Sequence, residues 1–190
     1  MKILFTIKSF LLLTFLFAFS GSSYAQKDPI TWNVYKAPDP YVIIDTASGD
    51  FNNDNFRDFI VVLNKPGEFS FDDTIRPLVI LMGRLEGPVF FARNDYVALC
   101  ASCGGVFGDP YQGITIKGKF FSIDHYGGSN WRWTRNITFR YDSKTKNFLL
   151  HKDGGDSYHM SDVDKVKEYF SYKKYWGKMR FQAYNYNRDE

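Results

Sequence analysis

A run of nine residues, from position 50 to position 58, carries the side chains best suited to chemistry in this sequence. Side-chain oxygens stand at its first, third, fifth and ninth positions, which are Asp50, Asn52, Asp54 and Asp58. A hard cation such as Ca²⁺ takes about six to eight oxygen ligands, and a tight loop with this spacing can wrap around it. The main-chain carbonyl of Phe56 would add a further oxygen. The run predicts a Ca²⁺ site whose metal stiffens a loop, with a metal-free polar turn as the alternative.

The end of this run separates it from an EF-hand loop. An EF-hand needs a bidentate Glu at its twelfth position, which here is Val61, inside an apolar run that predicts a strand. A loop that ends at its ninth position, directly before a strand, resembles the FG-GAP or VCBS-type repeats of integrin-like propellers. Those repeats carry Asp-x-Asn-x-Asp-Gly-x-x-Asp between two strands and bind Ca²⁺. The resemblance covers residues 47–63 and departs from the pattern at Asn55, a residue type that also tolerates a left-handed backbone. With one copy of the loop, a closed propeller is not implied.

The chain has two cysteines, Cys100 and Cys103, and three chemistries compete for them. In an exported protein such a pair usually forms a structural disulfide. A redox-active dithiol of the thioredoxin type needs its first cysteine at a helix N-terminus, and here a glycine-rich stretch follows instead. Half of a zinc site is the third interpretation, although the histidines show no ligand spacing with the pair. We expect the disulfide.

An aromatic cluster in the centre of the chain suggests a place for a ligand. In a strand, Trp131 and Trp133 lie on one face and Arg132 lies on the other. The functional interpretation is an aromatic platform for a sugar ring or a peptide, with Arg132 or Arg140 as an anion contact. The alternative is a tryptophan pair in the core with the arginine in solvent.

The stretch around this cluster, residues 103–141, resembles a block found in exported bacterial proteins without an established activity. The resemblance therefore implies a shared fold and no particular reaction. It rests on these residues: Cys103, Gly104, Gly105, Gly108, Asp109, Pro110, Tyr111, Gly113, Ile114, His125, Tyr126, Gly127, Gly128, Ser129, Trp131, Arg132, Trp133, Thr138, Phe139, Arg140 and Tyr141.

Two enzymatic hypotheses compete with a binding role. His125, with Asp124 or Ser129, could form the base and nucleophile of an envelope hydrolase. The Gly-x-Ser-x-Gly pattern of a nucleophile elbow is absent around Ser129. The second hypothesis is a thiol-disulfide oxidoreductase that uses the cysteine pair.

The N-terminus predicts export to the periplasm or the cell exterior. Lys2 and Lys8 form a positive segment before an apolar run at 10–19, and Ser23 and Ala25 suit a signal peptidase, so residues 1–25 are predicted to be a signal peptide. The apolar run is too short to cross a bilayer comfortably, so we expect no stable membrane span after cleavage. Removal of Lys2 and Lys8 with the signal lowers the formal net charge from +3 to +1, which argues against a nucleic-acid partner.

Residues 26–190 predict one β-rich domain, because 19% of the chain is aromatic and short apolar runs alternate with turn residues. We expect an antiparallel sandwich or a partly open barrel, with a hairpin at 141–148 and one short helix at 161–172. Predicted strands lie at 31–36, 41–45, 59–63, 78–83, 89–92, 113–116, 120–125, 131–141, 148–151 and 179–184. The leading functional expectation is an exported, non-enzymatic β-domain that binds Ca²⁺ and recognises a protein or glycan of the cell envelope.

Overall fold

The structure, a computed structural model, describes residues 35–67, 75–171 and 177–187. Within these residues the chain forms nine β-strands and one 3₁₀ turn at Phe181–Ala183. The strands are β1 (Val42–Gly49), β2 (Asp58–Asn64), β3 (Leu78–Met82), β4 (Val89–Asn94), β5 (Tyr111–Lys117), β6 (Phe120–Gly128), β7 (Trp131–Asp142), β8 (Asn147–His159) and β9 (Asp162–Ser171). The predicted signal peptide, residues 1–25, lies outside the described residues. No helix in the described ranges is long and apolar enough to cross a membrane.

The nine described strands form two antiparallel sheets in which each strand pairs with its neighbour along the chain. Sheet A has the order β1-β2-β3-β4, and sheet B has the order β5-β6-β7-β8-β9. Neither sheet closes into a barrel. The prediction of a mostly β, antiparallel sandwich is confirmed.

The core lies between the two sheets and is rich in aromatic rings. Phe121 of β6 and Phe139 of β7 stack with centroids 5.4 Å apart, and Phe51, before β2, packs against Phe121. Ile60 and Ile80 of sheet A join the same cluster. Alternate residues of β6 and β7 face this cluster, as the pleat of a strand requires. β2 and β3 are buried along almost their whole length because Tyr35 and Tyr41 pack against their other face, where Val61 and Val79 form a second cluster.

Most of the predicted strands and the hairpin between β7 and β8 are confirmed, but the segment 179–184 is not a strand. It begins with an isolated bridge to β8, in which the carbonyl oxygen of Met179 accepts the N–H of Leu150 at 2.9 Å, and it then forms the 3₁₀ turn. The side-chain amide of Asn94 donates to the carbonyl oxygens of Phe181 and Tyr184, the latter at 2.8 Å. Residues 31–34 of the first predicted strand lie outside the described residues.

The helix predicted at 161–172 is wrong. Residues 162–171 form strand β9, which pairs with β8 from Asp153↔Ser171 to His159↔Asp162. Val163 and Val166 suggested helical spacing, yet both are about half exposed because β9 is the edge strand of sheet B and meets solvent on both faces. Its side chains therefore carry little of the burial pattern that distinguishes the two periods.

Candidate functional site

A cleft of about 1060 Å³ opens where the end of β2 meets the β6–β7 hairpin and the loop that precedes β5. Asn64 lines it from β2, Ser102 and Val106 from the loop, and Trp131 and Trp133 from β7. The volume slightly exceeds the usual range for a small-molecule site, about 300–1,000 Å³, so the cleft can take a chain of linked units.

The two tryptophans reach the cleft because β7 turns its odd-numbered residues toward the sandwich interior. Trp133 packs against the edge of the core, and its indole lies across Gly127, where a Cβ atom would stand 2.5 Å from Cζ2. Trp131 is 52% exposed and meets the His159 ring edge-on, with centroids 5.1 Å apart. Trp133 therefore serves both the core and the cleft, while Trp131 offers its ring to solvent.

The opposite wall is the short loop that contains the two cysteines. Cys100 and Cys103 are a close pair, with Sγ atoms 2.05 Å and Cα atoms 5.1 Å apart, and Ser102 between them lines the cleft. Main-chain hydrogen bonds fix this wall to the hairpin: the N–H of Gly128 donates to Gly104 at 2.9 Å, and the N–H of Val106 donates to Gly128 at 3.2 Å. Turns follow the pair, so the helix N-terminus that a redox dithiol needs is not found there among the described residues.

The acidic group at the cleft, Asp109, is held in place by a buried cation. Arg76 is 1% exposed and donates from Nη1 and Nη2 to the two carboxylate oxygens of Asp109, each at 2.7 Å. The guanidinium also lies 5.7 Å from the centroid of Tyr111, whose hydroxyl donates to Asp45 at 2.9 Å. Burial, together with the nearby Asp45, raises the pKa of Tyr111 far above its usual value. Asp109 is thus a fixed acceptor with its charge balanced.

The two arginines predicted as anion contacts do not line the cleft with the tryptophans. Arg132 projects from the other face of β7 and stacks 4.0 Å above the Phe107 ring, and its Nη1 atom is buried without a hydrogen-bond partner in the described part of the chain. Arg140, eight residues further along the strand, lines a separate pocket of about 230 Å³ and lies 3.9 Å from Asp142. The structure brings Trp131 and Trp133 together and leaves Arg140 far from them.

The cation beside the tryptophans is Lys167, which the sequence alone did not place with them. Its Nζ atom lies 5.7 Å from the centroid of the Trp131 ring. Lys167 pairs across the sheet with Ser157, and Ser157 pairs with Trp133, so the three side chains share one face. Residues 162–171 carry no clear alternation that could have revealed it, because β9 meets solvent on both faces.

His125 is in the core, and both of its ring nitrogens have main-chain partners. Nε2 accepts the N–H of Leu99 at 3.2 Å, and Nδ1 lies 3.2 Å from the carbonyl oxygen of Arg135, to which it donates in the neutral ring. The residue is 2% exposed. Burial is the main cause that lowers its pKa to about 4. Asp124 projects to the other face of β6 and accepts from Thr115 at 2.8 Å, so the groups proposed for a hydrolase do not come together.

The 50–58 loop folds around its own side-chain oxygens. The carboxylate of Asp50 accepts the N–H groups of Asp54 at 3.2 Å and Asn55 at 3.0 Å. The amide oxygen of Asn52 accepts the N–H of Asp54 at 3.0 Å, and the carboxylate of Asp54 accepts that of Phe56 at 2.9 Å. The loop closes because Asn55 has a φ of 68°, in the left-handed region that a short polar side chain tolerates.

Asp58 occupies a different environment from the other oxygens of the loop. It is fully buried, and its two carboxylate oxygens accept the N–H groups of Phe51 and Gly83, each at 2.8 Å. Burial raises its pKa to about 6, against the opposing effect of these hydrogen bonds, with the negative charges of Asp54 and Asp50 adding to the rise. Asp58 anchors the loop to the β3–β4 connection.

No family model, curated protein or solved structure matches the chain.

The loop therefore has to be judged on its own residues. Asp50, Asn52, Asp54 and the carbonyl of Phe56 are oxygen donors of the type that Ca²⁺ prefers. Among the described residues no three His, Cys, Asp or Glu side chains converge as a metal-binding group. The buried position of Asp58 agrees with this result. The role of Asp58 as a fifth ligand stays a prediction.

Proposed function

We propose that this chain is an exported, non-enzymatic β-domain that binds a glycan of the cell envelope in the cleft beside Trp131 and Trp133. The observation that carries the proposal is the exposed ring of Trp131 next to Trp133 on the wall of a cleft of about 1060 Å³. Aromatic side chains that line a concave cleft are a common feature of ligand-binding sites.

The chemistry of the cleft suits a pyranose ring. Such a ring has an apolar face of C–H groups, which packs on an indole, and an edge of hydroxyl groups that require hydrogen-bond partners. Trp131 and Trp133 offer the apolar surface. Asn64, Ser102 and Asp109 line the same cleft and offer both donors and acceptors. A few fixed polar groups within an apolar pocket are the usual basis of orientation and specificity.

A binding role is also favoured by the state of the groups that an enzyme would use. His125 has both ring nitrogens engaged by main-chain groups, so it is not poised to accept a proton from a nucleophile. The close pair of Cys100 and Cys103 supports a structural disulfide, because it forms a wall of the cleft and is followed by turns.

The test is a binding titration by calorimetry with the oxidised protein, residues 26–190, against cellohexaose, chitohexaose and hexagalacturonate. We expect at least one of these to bind, and Trp131→Ala to weaken that binding by about tenfold or more, equivalent to about 1.4 kcal/mol. Phe90→Ala is the matched control, because Phe90 is 63% exposed on β4 and does not line the cleft. Failure of all three sugars to bind at millimolar concentration, or equal binding by Trp131→Ala, would reject the proposal.

We also propose that the 50–58 loop binds Ca²⁺ and that the ion stiffens this corner of sheet A. The proposal rests on the succession of hydrogen bonds that gathers the oxygens of Asp50, Asn52 and Asp54. Carboxylates held this close repel one another, and a divalent cation would relieve that repulsion. The ion would have a structural role here, since the loop does not line the cleft.

A thermal melt in EDTA and then in Ca²⁺ tests this second proposal. An ion that binds the native state alone adds about 2.7 kcal/mol of stability at 100 times its dissociation constant, which should raise the midpoint by several degrees in a domain of this size. We expect Asp54→Ala to abolish the rise. Asp142→Ala is the control, because Asp142 accepts bonds from Thr145 in a polar turn outside the loop. No rise at millimolar Ca²⁺ would identify 50–58 as a polar turn.

A further inference from the structure

We infer that the Trp131 end of the cleft selects acidic sugars over neutral ones, and that Lys167 is the residue that recognises the acid group. This inference rests on the proposed function and specifies its ligand class. It begins from the ammonium group of Lys167, which lies 5.7 Å from the centroid of the Trp131 ring.

The position of Lys167 follows from the register of three strands. Trp133 pairs with Ser157 across β7 and β8, and Ser157 pairs with Lys167 across β8 and β9. Directly paired residues point to the same face of a sheet, and Trp131 joins them two residues before Trp133. The lysine and both indoles therefore share the face of sheet B that borders the cleft, with the small side chain of Ser157 between them.

Lys167 is an uncompensated positive charge in the described part of the chain. Lys165, two residues before it, bonds to Asp162 at 2.6 Å, and the acidic group of the cleft, Asp109, bonds to Arg76. No carboxylate lies within salt-bridge distance of Lys167 among the residues that the structure describes. The charge is thus available to a ligand.

The acidic side chains nearest to Lys167 in the sheet do not neutralise its charge on the face that borders the cleft. Asp156 and Glu168 pair directly with each other across β8 and β9. They alternate with Ser157 and Lys167 along their strands and so project from the opposite face of the sheet. Arg132 also projects from that opposite face, where it stacks on Phe107. Lys167 is the cation that a sugar on Trp131 would meet.

A uronic acid matches this arrangement. Its ring can pack on Trp131 while its carboxylate, carried on the ring carbon next to the ring oxygen, accepts a charge-assisted hydrogen bond from the ammonium group. The side chain of Lys167 is flexible enough to adjust to the exact position of the acid. Because the lysine is exposed, salt should weaken this contact.

The experiment compares hexagalacturonate with its fully methyl-esterified form, which keeps the ring and removes the charge. We expect the native protein to bind the acid about tenfold more tightly than the ester at low salt. Lys167→Met should bring that ratio close to one, chiefly by weakening the binding of the acid. Lys165→Met is the matched control, because Lys165 lies two residues away and is paired with Asp162; it should keep the native ratio. Added salt should weaken binding of the acid and not of the ester.

The possible results separate this inference from the proposal on which it rests. Equal affinity for the acid and the ester, or a ratio that survives Lys167→Met, would overturn the acidic selectivity and leave a cleft that binds sugars. Binding of neither sugar, nor of the neutral hexasaccharides, would overturn the glycan proposal and the selectivity together.

Discussion

The indole of Trp133 lies across Gly127 on the neighbouring strand. The two residues pair directly between β6 and β7, and a Cβ atom at position 127 would stand 2.5 Å from Cζ2 and 2.9 Å from Cε2 of the ring. Real Cβ atoms do not approach a ring so closely, so only glycine allows the indole to occupy this place. Gly127 thereby sets the position of one wall of the cleft.

Gly127→Ala should therefore destabilise the fold and displace Trp133. We expect a loss of about 1–3 kcal/mol in the free energy of unfolding, the usual result of overfilling a packed site, and a change in tryptophan fluorescence. Chemical denaturation measures the loss. In a Trp133→Ala background the same change should cost much less, because the ring that the methyl group meets is gone. Additive losses in the double variant would contradict this explanation.

Asp58→Asn should lower stability even when no metal is present. An amide has one acceptor oxygen where the carboxylate has two, so the buried N–H of Phe51 or of Gly83 would lose its partner, at a cost of about 1–3 kcal/mol. Denaturation in EDTA measures this effect. Asp54→Asn is the matched control, since Asp54 is exposed and should leave the metal-free stability within about 0.5 kcal/mol of the native value.

The two aspartates should also differ in how they affect the response to Ca²⁺, and here Asp54→Asn should have the clearer effect. Asp54→Asn removes one charge from the proposed site and should reduce the rise in melting temperature that Ca²⁺ causes. If Asp58→Asn and Asp54→Asn have the same effect in EDTA, Asp58 does not act as the anchor that its two hydrogen bonds indicate.

Much of the fold could be predicted because burial and turn chemistry agree along the chain. In β6, Phe121 and Ile123 alternate with half-buried residues, and period two is the signal that identifies a half-buried strand. The hairpin between β7 and β8 could be predicted for a similar reason, since a polar turn separates two apolar segments. These signals are local in the sequence, and the observed strands agree with them.

The edge of sheet B and the C-terminal segment could not be predicted because their structure depends on distant partners. β9 is exposed on both faces, so its sequence lacks the alternation that marks a strand, and Lys167 was lost from the candidate site with it. The turn at Phe181–Ala183 depends on Asn94, and Tyr184 next to it donates to Asp153 at 2.7 Å. No local pattern shows such a partner.

The candidate site was predicted in part for the same physical reasons. The placement of Trp131 and Trp133 on one face follows from the pleat alone, and it is confirmed. The same alternation already placed Arg132 on the other face, so the choice of Arg132 and Arg140 as anion contacts rested on their charge and not on their position. The pleat turns Arg132 away from the tryptophans, and about 3.3 Å per residue along β7 carries Arg140 far beyond them.

Loss of the Cys100–Cys103 pair should loosen the cleft wall. If the pair is a disulfide, mass spectrometry of the untreated protein will find it two hydrogen atoms lighter than after reduction. Replacing both cysteines by serine should cost about 2 kcal/mol of stability, from the loop-closure entropy of so short a loop, and should weaken sugar binding because Ser102 lines the cleft. Unchanged binding would show that the wall keeps its shape without the bond.

The same pair provides a test against the oxidoreductase hypothesis. An insulin-reduction assay with thioredoxin as the positive control should show no turnover, because the helix N-terminus that stabilises a reactive thiolate is missing from the described residues around Cys100. Turnover that is lost in Cys100→Ser would reverse the assignment of a structural role.

His125 should make the fold less stable as the pH falls from about 6.5 to about 4. Burial lowers the pKa of His125 in the folded protein from 6.5 to about 4. Below pH 6.5 the unfolded chain therefore binds a proton that the folded protein excludes, and stability declines until the folded pKa is reached. By linkage the total loss from this one group is about 3 kcal/mol. Its cause is visible in the structure, since a protonated ring could not accept the N–H of Leu99.

Denaturation curves measured across this pH range test the prediction. His125→Gln should lower stability at pH 7, because a buried hydrogen-bonding group is replaced, and should make the dependence on pH less steep between 6.5 and 4. His159→Gln, which changes a histidine outside the core, should keep the native profile. The carboxylates contribute equally to all three proteins, so the difference between the profiles isolates His125. If His125→Gln and the native protein have parallel profiles, another group is responsible for the acid sensitivity.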